Sequence, residues 1–445
     1  MRSYEAVCAA YAKLNLTLNV IGKRPDGYHE LESVMQAVSL HDTVTVRLRL
    51  EGRDTGNAPD TDGRHFCGAQ ASKGRSARGA SLGERGAGAE PICITVSVDT
   101  PDEYISSQLI PQDHSNSAYR AAAEFFRRQA RRQGVKPVAR RQDVRPVALR
   151  QGMKPVARPF HDLYADIHIT KRIPASAGLG GGSADAAAVL LALNCIAGLP
   201  DGVHGLSKLT QSELSDAALS VGADVPFCLS YGADIVFLVS ARDPETTAVE
   251  SRFDSRACEA PETGSPGGAP ESRFGSRACE ALETGSPGGA RASGPSASPA
   301  PRQARTAYAG GVGERLSDIK YPPPAYAAAL VNPRVNISTA QIFNIYKSPG
   351  AEDIKNRSKL ARDMIKSQNG DWSNCFNALE PPAIGVCPEI GRIKAELLGA
   401  GAICAVMSGS GPTVFGLFES PETARSAADL ARSGGAWAMA CELLV

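Results

Sequence analysis

A glycine-rich segment between a strand pattern and a helix pattern constrains the fold of this chain most. Residues 163–170 alternate apolar and polar side chains, as a half-buried strand does, and residues 183–197 form a long apolar helical run. Glycines between them let backbone N–H groups approach an anion, and the positive end of the following helix points at the same place. We therefore predict that this segment binds phosphate groups. It consists of Pro174, Ala175, Ser176, Ala177, Gly178, Leu179, Gly180, Gly181, Gly182, Ser183 and Ala184.

The pattern of these glycines excludes two familiar nucleotide-binding loops. The segment does not end in Gly-Lys-Ser/Thr, which a Walker-type P-loop requires. No acidic residue stands on a following strand, where a dinucleotide fold carries one. A glycine-rich turn alone is more often a tight turn than a nucleotide site, so the phosphate assignment depends on the other motifs of the chain.

The composition gives no electrostatic argument for nucleic acid or a membrane as the main partner. The 445 residues carry a formal net charge of +1, and this length predicts two or three domains. Eleven cysteines are scattered singly without a Cys-x-x-Cys pair, which argues against zinc. The N-terminus shows no charged-then-apolar leader, so we expect a cytoplasmic protein with reduced thiols, either a monomer or a homodimer.

Three segments differ in composition from the rest, and we expect disordered insertions there. Segment 51–90 separates two strand patterns, which we predict to be neighbours in a hairpin that borders the nucleotide pocket. Segment 133–159 contains a repeat of period nine, and its basic residues either bind an acidic partner or form a solvated loop. Segment 241–311 contains a repeat of period 21, whose two copies match at 18 of 21 positions.

The rest of the chain mixes strand and helix patterns without strict β-α-β alternation, which predicts an α+β fold. Strand patterns cover residues 11–20, 43–50, 92–98, 163–170, 231–239, 325–331, 402–407 and 413–418. Helical patterns cover residues 116–132, 183–197, 211–220, 338–346, 352–366 and 388–398.

The first strand pattern carries a polar row that begins with a cation. Side chains alternate along a strand, so the polar residues at positions 13, 15, 17 and 19 share one face, opposite a face of leucine and valine. This row, which starts at Lys13, is either a half-exposed sheet face or part of a site. The turn that follows, Asp26-Gly27-Tyr28-His29, exposes two planar side chains that can hold a flat base by stacking and edge contacts.

Two further segments place polar groups at turns. The segment 222–226, Gly-Ala-Asp-Val-Pro, either is a plain turn or presents Asp224 to a site. The segment 407–415, Met-Ser-Gly-Ser-Gly-Pro-Thr-Val-Phe, is a second glycine-rich turn between strand patterns. It either closes over phosphates or is a simple hairpin.

Taken together and in this order, the motifs resemble those of the GHMP kinase superfamily, whose members move the γ-phosphoryl group of ATP onto small alcohols and acids. The Asp-Gly-Tyr-His and Gly-Ala-Asp-Val-Pro segments resemble the branch that phosphorylates the 2-hydroxyl of 4-diphosphocytidyl-2-C-methyl-D-erythritol, in the non-mevalonate route of isoprenoid synthesis. The resemblance extends through residues 311–314, 332–333 and 377–380 and covers nearly all of the chain outside the three insertions.

The resemblance implies a two-domain GHMP kinase fold. Residues 1–240 would form an N-terminal ATP-binding domain like ribosomal protein S5, and residues 312–445 a ferredoxin-like α/β C-terminal domain. The low-complexity insertion 241–311 would separate the two domains.

The resemblance also implies roles for individual residues. Asp224 would accept the proton of the substrate hydroxyl, and Lys13 would hold Asp224 as an anion and offset charge on the γ-phosphate. Residues 174–184 would hold the phosphates of ATP, with Ser183 reaching a Mg²⁺ ion. The small-molecule substrate would contact Asn15, Tyr28, His29, Ser408, Gly409, Ser410 and Gly411.

Three alternative functions stay open at this point. Another GHMP kinase, acting on mevalonate, homoserine or galactose, would lack the Tyr-His pair after the first strand. A catalytically inactive sensor of ATP or a metabolite would have no need for the Lys13–Asp224 pair. The insertions would be the functional part if they form a partner-binding arm on an ordinary enzyme.

Overall fold

Two long antiparallel strands form the centre of the first sheet. Strand β1 (Arg2–Lys23) pairs with β2 (His29–Leu50) along its whole length, and bulges interrupt the pairing at three places. Apolar side chains alternate along both strands and bury one face in the core, which favours extended backbone. The computed structural model describes residues 2–25, 27–50, 92–102, 105, 110–134, 160, 163–199, 203, 205–241, 305–366 and 371–444.

Six shorter strands complete this sheet. The strand order is β3-β4-β2-β1-β5, β6 pairs with β2, β7 pairs with β6, and a short β9 runs parallel to β1. These strands are β3 (Cys93–Asp99), β4 (Leu163–Thr170), β5 (Ala233–Ala241), β6 (Thr306–Gly311), β7 (Arg315–Asp318) and β9 (Phe376–Asn377).

The predicted hairpin across segment 51–90 is wrong. Strand β4 lies between β2 and β3, and β3 pairs with β4 in parallel. A helix between β3 and β4 provides the crossover that a parallel pair requires. Nearness in the sequence therefore did not determine which strands pair. Segment 51–90 and both repeat regions lie outside the described residues. Their disorder therefore stays a prediction.

Four helices cover one face of the first sheet, and their ends follow from local sequence. The Asn116 side chain accepts a hydrogen bond from the Ala118 N–H, and Thr210 forms a capping box with Glu213. The second helix is apolar on nearly all sides and is therefore buried against its neighbours. The helices are α1 (Ser117–Arg132), α2 (Gly181–Ala197), α3 (Gln211–Val221) and α4 (Val225–Tyr231).

The second sheet has four antiparallel strands in the order β10-β11-β8-β12. Along the chain, a strand is followed by helices, two strands, a helix and a last strand, which is the predicted ferredoxin-like arrangement. Its strands are β8 (Ala327–Asn332), β10 (Cys404–Met407), β11 (Val414–Phe418) and β12 (Trp437–Glu442). Its helices are α5 (Thr339–Ile345), α6 (Ala351–Lys366), α7 (Glu380–Val386), α8 (Glu389–Gly399) and α9 (Pro421–Ser433).

The first sheet includes strands that follow residue 311 in the sequence, where we predicted the second domain to begin. Strand β6 lies inside the predicted insertion 241–311, yet it pairs with β2 and buries alternate side chains. Strand β7, which falls in the predicted C-terminal domain, pairs with β6. The described residues before and after the third undescribed segment, up to 241 and from 305, belong to one compact unit.

The polar row of β1 is buried, so the alternative of a half-exposed sheet face is wrong. Lys13, Asn15, Thr17 and Asn19 are each at most 3% exposed. Helix α6 covers the end of the row, because the Asn19 amide donates to the Ile354 carbonyl and the Ser358 hydroxyl, each at 3.0 Å. Buried polar groups need hydrogen-bond partners, and this row has them within the protein.

No helix among the described residues is long and apolar enough to cross a membrane. The eight cysteines that the structure describes are free thiols. The oligomeric state stays a prediction.

A buried ionic triad joins β2 to the strand–turn–helix segment that carries the glycines. The Lys171 Nζ donates to Asp42 at 2.5 Å and to Asp185 at 2.6 Å, and Asp42 also accepts the N–H groups of Arg172 and Ile173. Burial and the neighbouring Asp42 raise the pKa of Asp185, and Lys171 opposes this shift. The triad fixes the chain just before the glycines.

Replacing Lys171 by methionine should lower the free energy of unfolding by about 3–5 kcal/mol, because removing one partner of a buried ionic group leaves the others uncompensated. Urea unfolding of the purified protein measures this change. The matched control is Arg392→Met, since Arg392 and Glu396 form an exposed pair whose loss should cost about 0.5 kcal/mol or less. Equal effects of the two substitutions would contradict a stabilising role for the triad.

Candidate active site

A buried lysine and a half-exposed aspartate form an ion pair at the centre of the site. The Lys13 Nζ lies 3.2 Å from the Asp224 carboxylate, and the exposed fractions of the two side chains are 4% and 36%. Lys13 lies on β1, and Asp224 immediately precedes α4. The structure thus brings the two predicted catalytic residues together. The open carboxylate can meet a substrate hydroxyl, while the cation behind it is shielded from water.

A chain of hydrogen bonds holds Lys13 in place. Its Nζ donates to the Asn15 Oδ1 at 2.6 Å, and the Asn15 amide donates to the Ser33 hydroxyl at 2.8 Å. Ser33 in turn donates to the Thr17 carbonyl at 2.6 Å. Both ends of the Asn15 side chain therefore bond to protein groups next to Lys13. Sequence reasoning missed Ser33, because its strand position alone gives no sign of the partner opposite it.

The glycine-rich turn leads into an open helix N-terminus. Gly178 and Gly180 have φ values of +77° and +71°, and α2 begins at Gly181. The first bond at this end runs from the Ala184 N–H to the Gly180 carbonyl, so the three preceding N–H groups have no acceptor in the helix. The predicted helix start at Ser183 is two residues late, and Ser183 is the third helical residue. The first turn carries no acidic side chain, which suits an anion.

Two of these glycines are also required by close packing. A Cβ at Gly178 would lie 2.1 Å from the Ser408 carbonyl oxygen. A Cβ at Gly180 would lie 2.8 Å from the Lys13 side chain. The turn therefore packs closely against β1 on one side and the 408–411 loop on the other. Its glycines serve this packing as well as leaving room for an anion.

The 408–411 loop contacts the glycine-rich turn directly. The Ser408 hydroxyl donates to the Gly178 carbonyl at 3.0 Å, and the residue is fully buried. Ser410 shares a hydrogen bond of 2.7 Å with Thr339. The side chain of Ser408 thus positions the glycine-rich turn. Gly409, another predicted substrate contact in this loop, lies near Asn15: a Cβ at Gly409 would lie 3.5 Å from the Asn15 Oδ1.

The predicted base-binding pair lies at the turn between β1 and β2. Tyr28 is 64% exposed, whereas His29 stacks on Phe343 of α5 with ring centroids 4.6 Å apart. Burial and the nearby Lys23 lower the pKa of His29 below its usual value of 6.5, so its ring is neutral at pH 7. Sequence reasoning missed Phe343, because an aromatic residue on a helix is usually a core residue.

The β6–β7 turn brings the base-binding pair and Asp224 into one region. A Cβ at Gly313 would lie 3.2 Å from the Ala223 carbonyl and 4.0 Å from the Asp224 carboxylate. Arg315, the first residue of β7 after this turn, forms an ion pair of 2.8 Å with Glu30, which follows His29. The turn therefore lies beside Asp224, and the strand after it contacts the neighbour of His29.

A metal ion would obtain few protein ligands here. Within the residues that the structure describes, no cluster of three or more His, Cys, Asp or Glu side chains is arranged to hold a metal. Ser183, at the open end of α2, is partly exposed. Its hydroxyl is an oxygen donor of the kind that Mg²⁺ binds together with waters and phosphate oxygens.

Comparison with known proteins identifies the family of the chain. Residues 148–232 match the GHMP kinases N terminal domain and residues 351–435 match GHMP kinases C terminal, so the matched regions contain the glycine-rich turn, Asp224 and the 408–411 loop. The 4-diphosphocytidyl-2-C-methyl-D-erythritol kinase of Pelotomaculum thermopropionicum is 30% identical over 94% of this chain and 91% of its own length.

Two further matches are named as kinases of the same compound. The enzyme of Caldicellulosiruptor saccharolyticus is 26% identical over 95% of this chain and 91% of its own length. A crystal structure of 4-(cytidine 5'-diphospho)-2C-methyl-D-erythritol kinase is 22% identical, with a TM-score of 0.48 over 99% of this chain and 98% of that one. On the strength of the 30% identical relative, the chain belongs to the GHMP kinases, in the family of the 4-diphosphocytidyl-2-C-methyl-D-erythritol kinases.

Proposed function

We propose that the chain transfers the γ-phosphoryl group of ATP to the 2-hydroxyl of 4-diphosphocytidyl-2-C-methyl-D-erythritol, giving the 2-phosphate and ADP. This is a reaction of the non-mevalonate route to isopentenyl diphosphate. The observation that carries the proposal is the Lys13–Asp224 pair beside an open helix N-terminus, in a chain whose relatives bear this name. The free thiols of the described residues support a cytoplasmic setting.

The phosphates of ATP occupy the N-terminus of α2 in this proposal. The N–H groups of Gly181, Gly182 and Ser183 point out of the helix without intrahelical acceptors, and the helix dipole adds positive potential there. Gly178 and Gly180 keep side chains out of the approach to these donors. The turn therefore binds the phosphates mainly through its backbone.

Asp224 and Lys13 act on the acceptor hydroxyl. As the hydroxyl oxygen attacks the γ-phosphorus, its proton passes to the Asp224 carboxylate, which is open to the substrate side. Lys13 holds the carboxylate as an anion before transfer and offsets negative charge on the phosphoryl oxygens. An ordinary carboxylate suffices, because a loose transition state needs orientation and charge balance more than a strong base.

Mg²⁺ fits the oxygen donors at the N-terminus of α2. The Ser183 hydroxyl would contribute one protein ligand, and phosphate oxygens and water would provide the others. When bound, the ion neutralises charge on the β- and γ-phosphates.

The cytosine of the acceptor binds at the β1–β2 turn in this proposal. His29 is neutral and is fixed by its stacking on Phe343, so its ring nitrogens can exchange hydrogen bonds with the edge of a base. Tyr28 presents an exposed ring for stacking. The base would then lie near Glu30 and Arg315, on the side of the β6–β7 turn that faces away from Asp224.

ATP consumption by the purified protein with Mg²⁺ tests the proposed reaction. The assay uses 4-diphosphocytidyl-2-C-methyl-D-erythritol, mevalonate and homoserine in parallel. Turnover on the first acceptor alone is the expected result. Turnover on mevalonate or homoserine alone would assign the chain to another GHMP kinase activity, and ATP binding without turnover on any acceptor would favour the inactive sensor.

Asp224→Asn and Lys13→Met should each lower kcat by about 10²–10⁴-fold, because one removes the proton acceptor and the other removes the cation that holds it. The Kd of ATP should stay close to the wild-type value, since the phosphates bind at α2. Steady-state kinetics and calorimetric nucleotide titration measure the two quantities. Asp216→Asn, an exposed aspartate on α3, is the control and should leave both unchanged. Loss of ATP binding in Asp224→Asn would show that Asp224 is structural.

Phe343→Leu should raise the KM for the acceptor by about tenfold and leave the KM for ATP unchanged, because it removes the ring against which His29 is fixed. The wild-type acceptor KM should be flat between pH 7 and 8.5, where His29 is neutral. Initial rates over this pH range check both statements. Tyr164→Leu, at the far end of β4, is the control. A larger effect on ATP than on the acceptor would contradict the base site.

A further inference from the structure

The motif Asn377-Ala378-Leu379-Glu380 lies between β1 and the 408–411 loop. Strand β9 pairs in parallel with β1, with Phe376 opposite Thr17 and Asn377 opposite Leu18. The Ala378 N–H donates to the Leu18 carbonyl at 2.8 Å. This backbone pairing anchors the motif on the strand that carries Lys13.

The side chain of Asn377 bonds to the end of β10 and to the 408–411 loop. Its amide nitrogen donates to the carbonyls of Met407 and Gly409, both at 2.7 Å, and its Oδ1 accepts the Leu379 N–H at 2.8 Å. The side chain is buried, and both of its amide hydrogens are used. Glu380 adds an acceptor for the Met407 N–H at 2.8 Å. The end of β10 and the loop after it are thus held from one side by this motif.

The loop then bonds to the glycine-rich turn, and the turn bonds back to β1. The Ser408 hydroxyl donates to the Gly178 carbonyl at 3.0 Å. The next carbonyl, that of Leu179, accepts the N–H of Lys13 at 2.9 Å. Hydrogen bonds therefore form a closed ring from β1 through Asn377, the 408–411 loop and the glycine-rich turn back to Lys13.

We propose that Asn377 is a positioning residue for phosphoryl transfer, which fixes the glycine-rich turn relative to Lys13 by holding the 408–411 loop. The inference rests on the proposed function for its kinetic part. Asn377 touches neither substrate nor phosphate in this scheme, and it acts through the Gly409 carbonyl and Ser408. A small displacement of the turn would move the γ-phosphate away from the Lys13–Asp224 pair while leaving most binding contacts in place.

Asn377→Ala and Asn377→Asp should each lower kcat by about 10–100-fold, with the KM values for ATP and the acceptor within about threefold of wild type. Both variants lack the amide donor, and Asp keeps the acceptor for the Leu379 N–H. Rates are expressed per nucleotide-binding site, so that a fraction of unfolded protein does not count as lost turnover. A fall in kcat for Asp alone would show an effect of the new charge and would overturn the proposal.

Asn194 provides the matched control. It is also a buried asparagine, and its side chain accepts the Leu209 N–H at 2.7 Å and donates to the Leu209 carbonyl at 3.4 Å, away from the site. Asn194→Ala and Asn194→Asp should lower thermal stability without changing kcat per binding site. Equal kcat values in the Asn377 and Asn194 variants would overturn the proposal.

Amide hydrogen exchange tests the ring without any acceptor. In both Asn377 variants, peptides covering 174–180 and 408–413 should exchange faster than in wild type, and in the Asn194 variants they should not. If the wild-type chain fails to phosphorylate the proposed acceptor, the proposed function fails while this readout still tests the ring. Unchanged exchange in 174–180 would overturn the proposal.

Discussion

The site depends on the burial of the Lys13 ammonium group. A cation shielded from water needs charge and hydrogen-bond partners at once, and Asp224 and Asn15 supply them. The stem of Lys13 lies where the Cβ of residue 180 would be, so the turn must carry a glycine there. The position of the phosphate-binding backbone and the position of the catalytic cation are therefore set by the same contact.

A second buried lysine lies on the other side of the same turn, and the comparison shows why only one of the two suits catalysis. The Nζ of Lys171 lies 2.9 Å from a Cβ built on Gly181, so the turn is confined by a lysine at each of two consecutive glycines. Lys171 is enclosed with both of its carboxylate partners, which are as buried as it is. Lys13 instead shares a carboxylate that is 36% exposed, and only that carboxylate can exchange a proton with a substrate.

Sequence patterns predicted the strands and helices that carry local periodicity, including the strand 163–170 and the helix over 211–220, which is observed as Gln211–Val221. They missed α4 and α7, which are short and have prolines in their first turns, and they missed α9. The motifs placed Lys13 beside Asp224, but Ser33, Phe343 and the bonds of Asn377 depend on which elements meet in space. That information is absent from local periodicity, as the wrong hairpin across segment 51–90 also shows.

The strand register explains how the chain carries long insertions without interrupting a catalytic motif. Leu50, Leu163 and Ala241, which border the three undescribed segments, lie at one end of the first sheet, opposite or next to the first residues of β1. The glycine-rich turn follows the other end of β4. That end, Thr170, is seven residues from Leu163, which corresponds to roughly 23 Å at the rise of a strand. Because loop closure costs only about 0.6 kcal/mol for each doubling of length, extra chain whose two ends attach there leaves the ring around Lys13 unchanged. The third segment leaves from that end but returns at Arg305, whose carbonyl accepts the N–H of Ala37, the residue opposite Lys13, and the ion pair of Arg305 with Asp234 fixes the start of β6 there.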